Sequence, residues 1–522
     1  IRALLIAVSG IQSLCRLAKE DNEEEFKKLQ SEKILKQIEN SISKTPQHYD
    51  IAKVLYNKYK HEYICNDPKT KEWYRFNGVF WEPDRYGISL SVKISEELPQ
   101  EYEKILKVRT DNKEDYEDIA KVMIKLKDHT FKEKVIKEAA DIFYINNSDF
   151  DKTHDENHTL ICFANGVYDL QNGCFRNSYP EDRIILTTGC LYQSYNRYDK
   201  NIIAVNNFFN EILPCKETCE YVKTLLASCL DGTHRHEIFN IFTGSGSNGK
   251  SILMDLCRYA FGDYYSTVSN TLITRKRVGI NEHNTTLMKT KGKRIVTMQE
   301  PEGSDQIYCG FMKELTGGDE IEGRDMYKQS TTFHPQFTMF LCCNKLPNIP
   351  ATDGGTWRRL RAVDFKCKFV DNPNKDDPYQ FKIDRSLKGK SKEWTSAFMS
   401  ILIHQYNTVY KESGFKLNEP DEVTQFTRQY KEQSDMYMAF FNEVYEHTKD
   451  ETDVLTTSTV YSHFKEWVKI NYDSKKVPNK RDFIEYFKNS DDFKSLKLIK
   501  RTSFIGIKSK ETDEDEEDFD SE

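Results

Sequence analysis

The stretch FTGSGSNGKSILMD, residues 242–255, lies near the middle of the 522-residue chain and decides how the rest is read. Gly244 to Ser251 satisfies G-x-x-x-x-G-K-[ST]. Before it, EIFNIFT (residues 237–243) has the apolar content of a buried strand, and after it SILMDLCRYAF (residues 251–261) has helical spacing. Glycines let such a loop curl until successive N–H groups point at an anion held at the positive end of a helix. Gly244, Ser245, Gly246, Ser247, Asn248 and Gly249 would form the cradle. Lys250 would reach the β- and γ-oxygens of ATP, and Ser251 would ligate Mg²⁺.

Hydrolysis also needs a carboxylate at the end of a neighbouring strand. KRIVTMQEPE (residues 293–302) offers one: residues 294–298 are strand-like and Glu300 follows, able to orient or deprotonate a water and to join the metal shell. Glu302 is a second candidate. Gln299 stands where an Asp often helps to hold magnesium, which leaves more of the shell to Ser251 and water. FTMFLCCNKLP (residues 337–347) reads as a buried strand ending in Asn344, whose amide can sense a γ-phosphate; the plainer reading is that Asn344 only begins the turn before Pro347. TDGGTWRRLRAVDF (residues 352–365) sets Arg358, Arg359 and Arg361 beside Trp357. Exposed arginines are usually only solvated. A pair after a Gly-Gly turn, downstream of a sensor strand, is where an arginine finger for a neighbouring subunit's nucleotide would stand.

The length suggests three or four domains. With 38% apolar and 30% charged residues the chain can build ordinary cores. No stretch approaches the roughly 20 apolar residues of a membrane span. Thirteen cysteines are scattered singly apart from Cys342–Cys343 and Cys215/Cys219, which argues for reduced thiols inside a cell rather than secretion. The net charge of −7 is concentrated in the tail ETDEDEEDFDSE (residues 511–522): with its nine acidic groups set aside, the remainder carries +2. Such a tail is expected to be solvated and disordered. The opening IRALLIAVSG lacks a signal-peptide layout and is read as the remnant of a helix from a longer protein.

Residues 17–45 have a helical stripe of Phe26, Leu29, Leu35, Ile38 and Ile42. Residues 60–85 read as two short aromatic strands turned at Phe76-Asn77-Gly78; base stacking is one use for these aromatics, a packed hairpin core the commoner one. Residues 95–145 return to helical spacing. LICFANGVYDLQNGCF (residues 160–175) carries two turn signals, Asn165-Gly166 and Asn172-Gly173. The expected fold class is α/β, with a P-loop ATPase core flanked by a mixed α+β N-terminal region and a C-terminal winged-helix-like module. The divisions are 1–50 helical linker remnant, 51–204 N-terminal α+β domain, 205–370 core, 371–435 helical connector, 436–509 end module and 510–522 tail. In the end module three helices precede a strand pair, residues 496–500 and 504–508. The third helix spans about 480–488, and Lys475, Lys476, Lys497, Lys500 and Arg501 are available for phosphate; docking a protein is the other reading.

GSGSNGKS, IVTMQE, KELTGGDEIEGRDMYKQSTTFHPQF and LCCNKLP followed by WRRL stand in one order that resembles the superfamily 3 helicases. More closely they resemble the helicase half of the primase-helicases of poxviruses and other large cytoplasmic DNA viruses, and of related phage and plasmid proteins. LICFANGVYDL and the Trp73–Trp81 hairpin resemble that family's upstream region, and EPDEVTQFTRQYKEQSDMYMAFFNE (residues 419–443) resembles the approach to its C-terminal module. The resemblance implies an AAA+-type ATPase that assembles as a homo-hexameric ring and translocates on single-stranded DNA at replication forks. Replication factors such as a polymerase or processivity protein are possible partners, the setting is cytoplasmic viral replication, and no membrane is involved. It implies a channel hairpin with strands 321–327 and 331–337 and a Lys328-Gln329-Ser330 tip, Lys328 contacting DNA phosphate with Arg324 and Tyr327 in support.

Other constellations are weaker. Cys215, Cys219, His234 and His236 suggest zinc only superficially, because they fall on a helix and on the strand approaching the cradle; packing is expected. Asp149 and Asp151 make a D-x-D pair without further metal partners, so primer synthesis is not expected in these residues. A rival from another class is a P-loop ATPase that remodels or packages nucleoprotein without unwinding. A nucleotide kinase fits poorly, since no lid with acceptor-binding arginines follows the cradle.

Overall fold

The computed structural model describes residues 22–43, 45–108, 113–233, 235–275, 283–299, 307–326, 330–347, 349, 354–448, 450–471, 477–489, 493, 499–500 and 502–510. Residues 1–21 and the acidic tail from 511 lie outside them. Helix Glu23–Ser41 begins at Asn22, whose Oδ1 accepts from Glu25 N at 3.1 Å, and it buries Ile38 in the same core as helix His48–Tyr59. Strands β1 (Tyr63–Asp67), β2 (Glu72–Phe76) and β3 (Trp81–Arg85) form an antiparallel meander, one strand more than the sequence reading expects. The extra turn is made by Asp67, whose carboxylate accepts from Lys69 N (2.8 Å) and Thr70 Oγ1 (2.9 Å), with Lys71 at φ +56°. Trp73 and Trp81 are buried, the former edge-on to Phe143 and the latter to Phe150, so they serve a core and are not available to stack on bases.

A second meander, β4 (Leu160–Phe163), β5 (Gly166–Asp169) and β6 (Cys174–Arg176), turns at both Asn-Gly pairs. The chain then forms β7 (Phe239–Thr243), β8 (Tyr265–Val268), β9 (Ile295–Met298), the antiparallel hairpin β10 (Ile321–Arg324) and β11 (Ser330–Phe333), β12 (Thr338–Cys342) and β13 (Leu360–Asp364). Five of these pair in parallel, in the order β13-β7-β12-β9-β8. Alternate residues supply the two faces. Phe242, Ile295, Phe340 and Val363 share one core with helices Lys200–Ile212, Lys216–Ser228, Lys250–Phe261 and Thr395–Gln405. Ile241, Val296, Met298, Leu341 and Ala362 face the other core, with helix Cys309–Thr316 and Tyr430. A sheet covered on both sides needs apolar residues throughout, which is what these strands contain. Helix Thr395–Gln405, within the segment read as a connector, therefore belongs to the core that carries the cradle helix.

Beyond a short parallel pair, β14 (Lys368–Val370) and β15 (Gln380–Lys382), helix Asp421–Ser434 leads to the end module. There helix Met436–Val444, β16 (Tyr445–His447), β17 (Val454–Thr456), helices Thr457–Asn471 and Lys480–Asn489, β18 (Ile499–Lys500), β19 (Ser503–Ile505) and β20 (Ile507–Ser509) enclose Phe440, Phe464, Phe483, Phe487 and Phe504. The sheet order is β17-β19-β18, and β16 pairs with β20. The expected second strand, 504–508, is broken by Gly506 at φ +71°, which sends Ile507–Ser509 to β16 instead. Lys475, Lys476, Lys497 and Arg501 lie outside the described residues. Among the described residues no helix is long and apolar enough to cross a membrane.

Candidate active site

The loop between β7 and helix Lys250–Phe261 has φ of +148° at Gly244, +89° at Gly246, +51° at Ser247 and +83° at Gly249. A Cβ on Gly244 would sit 2.2 Å from Asn248 Nδ2 and 2.6 Å from Phe365 O, and one on Gly249 would sit 2.3 Å from Ile212 Cγ2. These two glycines are thus needed both for conformation and for space. Asn248 is buried and donates to Phe365 O (3.3 Å), while Phe369 N donates to Ser247 O (2.7 Å). Both bonds tie the loop to the segment after β13. Gly249 heads the helix without a side-chain cap, and Ser245, Ser247 and Ser251 are exposed around the loop. Lys250 is 6% exposed and donates from Nζ to Gly244 O at 2.9 Å, lying across its own loop. A phosphate oxygen in place of that carbonyl would make a stronger bond, since both partners would then be charged.

Because the strands are parallel, their carboxyl ends meet at one edge. Cys343 N donates to Phe242 O (3.1 Å) and Thr243 Oγ1 to Asn344 O (3.5 Å), so Asn344, two residues past β12, stands beside the start of the cradle. β9 comes to the same edge with Met298 paired to Leu341, and Gln299 is exposed there. Glu300 and Glu302 lie outside the described residues. Sequence reasoning missed Asp364, at the end of β13. Burial raises its carboxyl pKa, while the nearby Lys366 and Lys250 pull it down. Burial likewise pushes the Cys342 thiol up to about 12, against the charge of Lys250.

Arg358 and Arg359 stand at the other end. Arg359 O accepts from Phe239 N (2.7 Å) at the start of β7, four residues before Thr243, or about 13 Å at the rise of a strand. Both guanidinium groups meet Glu237 Oε2, Arg358 at 3.4 Å and Arg359 at 2.8 Å. Their environments differ. The Arg358 side chain is 65% exposed; that of Arg359 is 12% exposed and also donates to Gly355 O (3.0 Å). Arg361 pairs with Glu419 at 2.5 Å. Glu237, at φ +49°, is a second residue that no sequence signal marked.

The hairpin pairs Ile321 with Phe333 through to Arg324 with Ser330. Ser330 therefore belongs to a strand and not to the tip, and β11 stops at Phe333, where His334-Pro335 breaks the ladder. Arg324 is half-buried and its carbonyl accepts from Asn284 N (3.0 Å); Tyr327, Lys328 and Gln329 lie outside the described residues. Among the described residues no group of three His, Cys, Asp or Glu gathers to hold a metal. His236 instead bonds Tyr410 through Nε2 (2.7 Å), Cys219 is packed on its helix, and Asp149 pairs with Arg183 (2.9 Å); His234 lies outside the described residues.

A family model described as "D5 N terminal like" matches residues 52–230, and one described as a "Family of unknown function" matches residues 242–359. The chain is 38% identical over 483 residues to "Putative helicase L207/L206" of Acanthamoeba polyphaga mimivirus, covering 88% of this chain and 49% of that protein. It is 25% identical to "Putative helicase 121R" of Invertebrate iridescent virus 3 over 84% of this chain and 52% of that one. It is 24% identical to "Putative primase C962R" of African swine fever virus over 85% and 49% respectively. The chain thus spans about half the length of the curated relatives it matches. Among solved structures it is similar to the apo NrS-1 C terminal region (12% identity, 61% of this chain, 77% of that chain), at a TM-score of 0.37.

Proposed function

We propose that this chain, which belongs to the primase-helicase family of large DNA viruses, is an ATP-driven helicase unit of viral DNA replication. In this reading its core is an AAA+-type P-loop ATPase, working as a homo-hexameric ring on single-stranded DNA, with a winged-helix-like module at its end. The observation that carries the proposal is the sheet order β13-β7-β12-β9-β8. It inserts the Asn344 strand between the cradle strand and the strand leading to Glu300. The parallel pairing of β13 with β7 leaves Arg358, which precedes β13, at the end of the sheet remote from its own cradle.

Gly244 to Gly249 would wrap the β-phosphate with backbone N–H groups, and Lys250 would leave Gly244 O for the β- and γ-oxygens. Ser251, exposed in the first turn of an uncapped helix, fits a magnesium ligand. Mg²⁺, when bound, neutralises charge on the phosphate oxygens. Glu300 would orient the attacking water, Asn344 would sense the γ-phosphate, and Arg358 of the adjacent subunit would stabilise the charge of the transition state. Lys328 would contact DNA phosphate, with Arg324, at the end of β10, and Tyr327 in support. The hairpin joins β12 directly, so release of the γ-phosphate next to Asn344 could move it.

The test is ATP hydrolysis with and without single-stranded DNA, run beside native mass. The expected result is a DNA-stimulated ATPase whose active species is a ring. Full turnover by a strict monomer would sink the ring mechanism, and indifference to DNA would sink the helicase reading.

A further inference from the structure

Arg294, immediately before β9, is 1% exposed, and among the described residues no carboxylate lies within ion-pair distance of it. Burying an unpaired guanidinium is costly, and burial lowers its pKa despite the neighbouring Tyr264, Asp155 and Asp231. Neutral groups hold the cation. Nη1 donates to Gln336 Oε1, Nη2 donates to His158 O at 3.1 Å, and Nε has no hydrogen-bond partner. Gln336 in turn donates from Nε2 to Asp155 O (3.2 Å) and Glu156 O (3.5 Å). Space is reserved for this arrangement. A Cβ on Gly232 would lie 2.6 Å from Arg294 Nη1 and 2.9 Å from Gln336 Cβ.

These bonds join three segments. Gln336 lies in the link between hairpin strand β11 and β12. Arg294 leads into β9, and its carbonyl accepts from Thr338 N (2.9 Å) at the start of β12. Asp155, Glu156 and His158 belong to the N-terminal region. Beside them a cavity of about 820 Å³ separates that region from the hairpin base, with His154, Glu156, Gly318, Glu320, Phe333 and His334 among its walls. Gln336 thus ties the base of the hairpin to the N-terminal region next to open space. An arrangement that costs stability and joins three segments is expected where function requires it.

We propose that Arg294 and Gln336 are positioning residues that clamp the hairpin base to the 155–158 segment, so that load on the hairpin is delivered to the foot of β9 and hence to ATP hydrolysis. The inference rests on the reading of the hairpin as the DNA contact. Its test compares wild type with Gln336→Ala, Gln336→Glu and Gly232→Ala, measuring melting temperature, basal ATPase and the ratio of DNA-stimulated to basal ATPase. Gln336→Glu keeps an acceptor for Arg294 but removes the amide donor to the Asp155 and Glu156 carbonyls.

The expected result for Gln336→Ala and Gln336→Glu is near-normal basal turnover and a stimulation ratio reduced about 2- to 30-fold, the range of measured coupling effects. Gly232→Ala lowers the ratio by displacing both partners. A purely structural role predicts the opposite for Gln336→Glu: the new ion pair would preserve stability and the ratio together, and that outcome overturns the clamp. Equal stimulation in wild type and Gln336→Ala also overturns it. A wild type that ignores DNA fails the helicase reading first, and the clamp falls with it.

Discussion

At the carboxyl ends of β7, β12 and β13, the groups available to a ligand are mainly backbone, shaped by glycines in conformations other residues avoid and pinned by Asn248 and Ser247 to the segment after β13. At the amino ends of the same sheet stand side-chain cations on Glu237, Arg358 exposed and Arg359 largely buried. The difference teaches that one chain holds a glycine loop and, at the opposite end of the same sheet, a separate set of cations. A strand is stiff, and about 13 Å of β7 lies between Phe239, which Arg359 O holds, and the start of the cradle. Arg358 is then either decoration on the surface or a group for another copy.

Lys250→Ala should have the largest effect, abolishing ATP turnover; a mutant that hydrolyses at the wild-type rate would break the comparison at its cradle end. Arg358→Ala follows, with kcat falling about 10³-fold or more, the range for an arginine finger. Mixing the two inactive variants sharpens the point. A ring containing both has interfaces where an intact cradle meets an intact Arg358, so part of the activity should return. No recovery in rings of verified mixed composition would return Arg358 to a surface role. Arg359→Ala tests the division between the two arginines. It removes a largely buried group bonded to Glu237 and Gly355 O, so it should lower stability by about 1–2 kcal/mol, read as a fall in the denaturation midpoint.

The smallest effect concerns the edge beside the cradle. Burial raises the Glu422 carboxyl pKa, but its ion pair with Lys366 (2.6 Å) and the hydroxyl of Thr218 outweigh this and hold it below the ordinary value. A depressed folded pKa contributes stability above the unfolded value of about 4.3, lost as pH falls through the folded value. Because the pair is partly solvated its share is under about 1 kcal/mol. The difference in stability between wild type and Glu422→Gln should therefore shrink below about pH 4; a difference that grows there would reverse the sign.

The cradle was legible because every signal for it is local: an apolar run, a glycine loop and a helical stripe follow one another within twenty-five residues, 237–261. The Asn-Gly turns of the second meander were legible for the same reason. The Asp67 turn and the strand break at Gly506 are also local, but their register depends on partners elsewhere, and both were misjudged. Asp364, Glu237, Arg294 and Gln336 gave no signal at all. Their chemistry comes from contacts across scores of residues, such as Arg294 with His158 at a separation of 136 and Gln336 with Asp155 at 181.

By itself the sequence determined the glycine loop, since such a loop is a property of consecutive backbone dihedrals and of the few residue types that permit them. It also determined the α/β character, since strands buried on both faces must be apolar throughout. Tertiary structure alone decided which side chains face the pocket and which stand at the far end of the sheet. Strand order, set by packing on both faces and not by neighbours in the chain, puts Asn344 beside the cradle, and the parallel pairing of β13 with β7 keeps Arg358 at the opposite end.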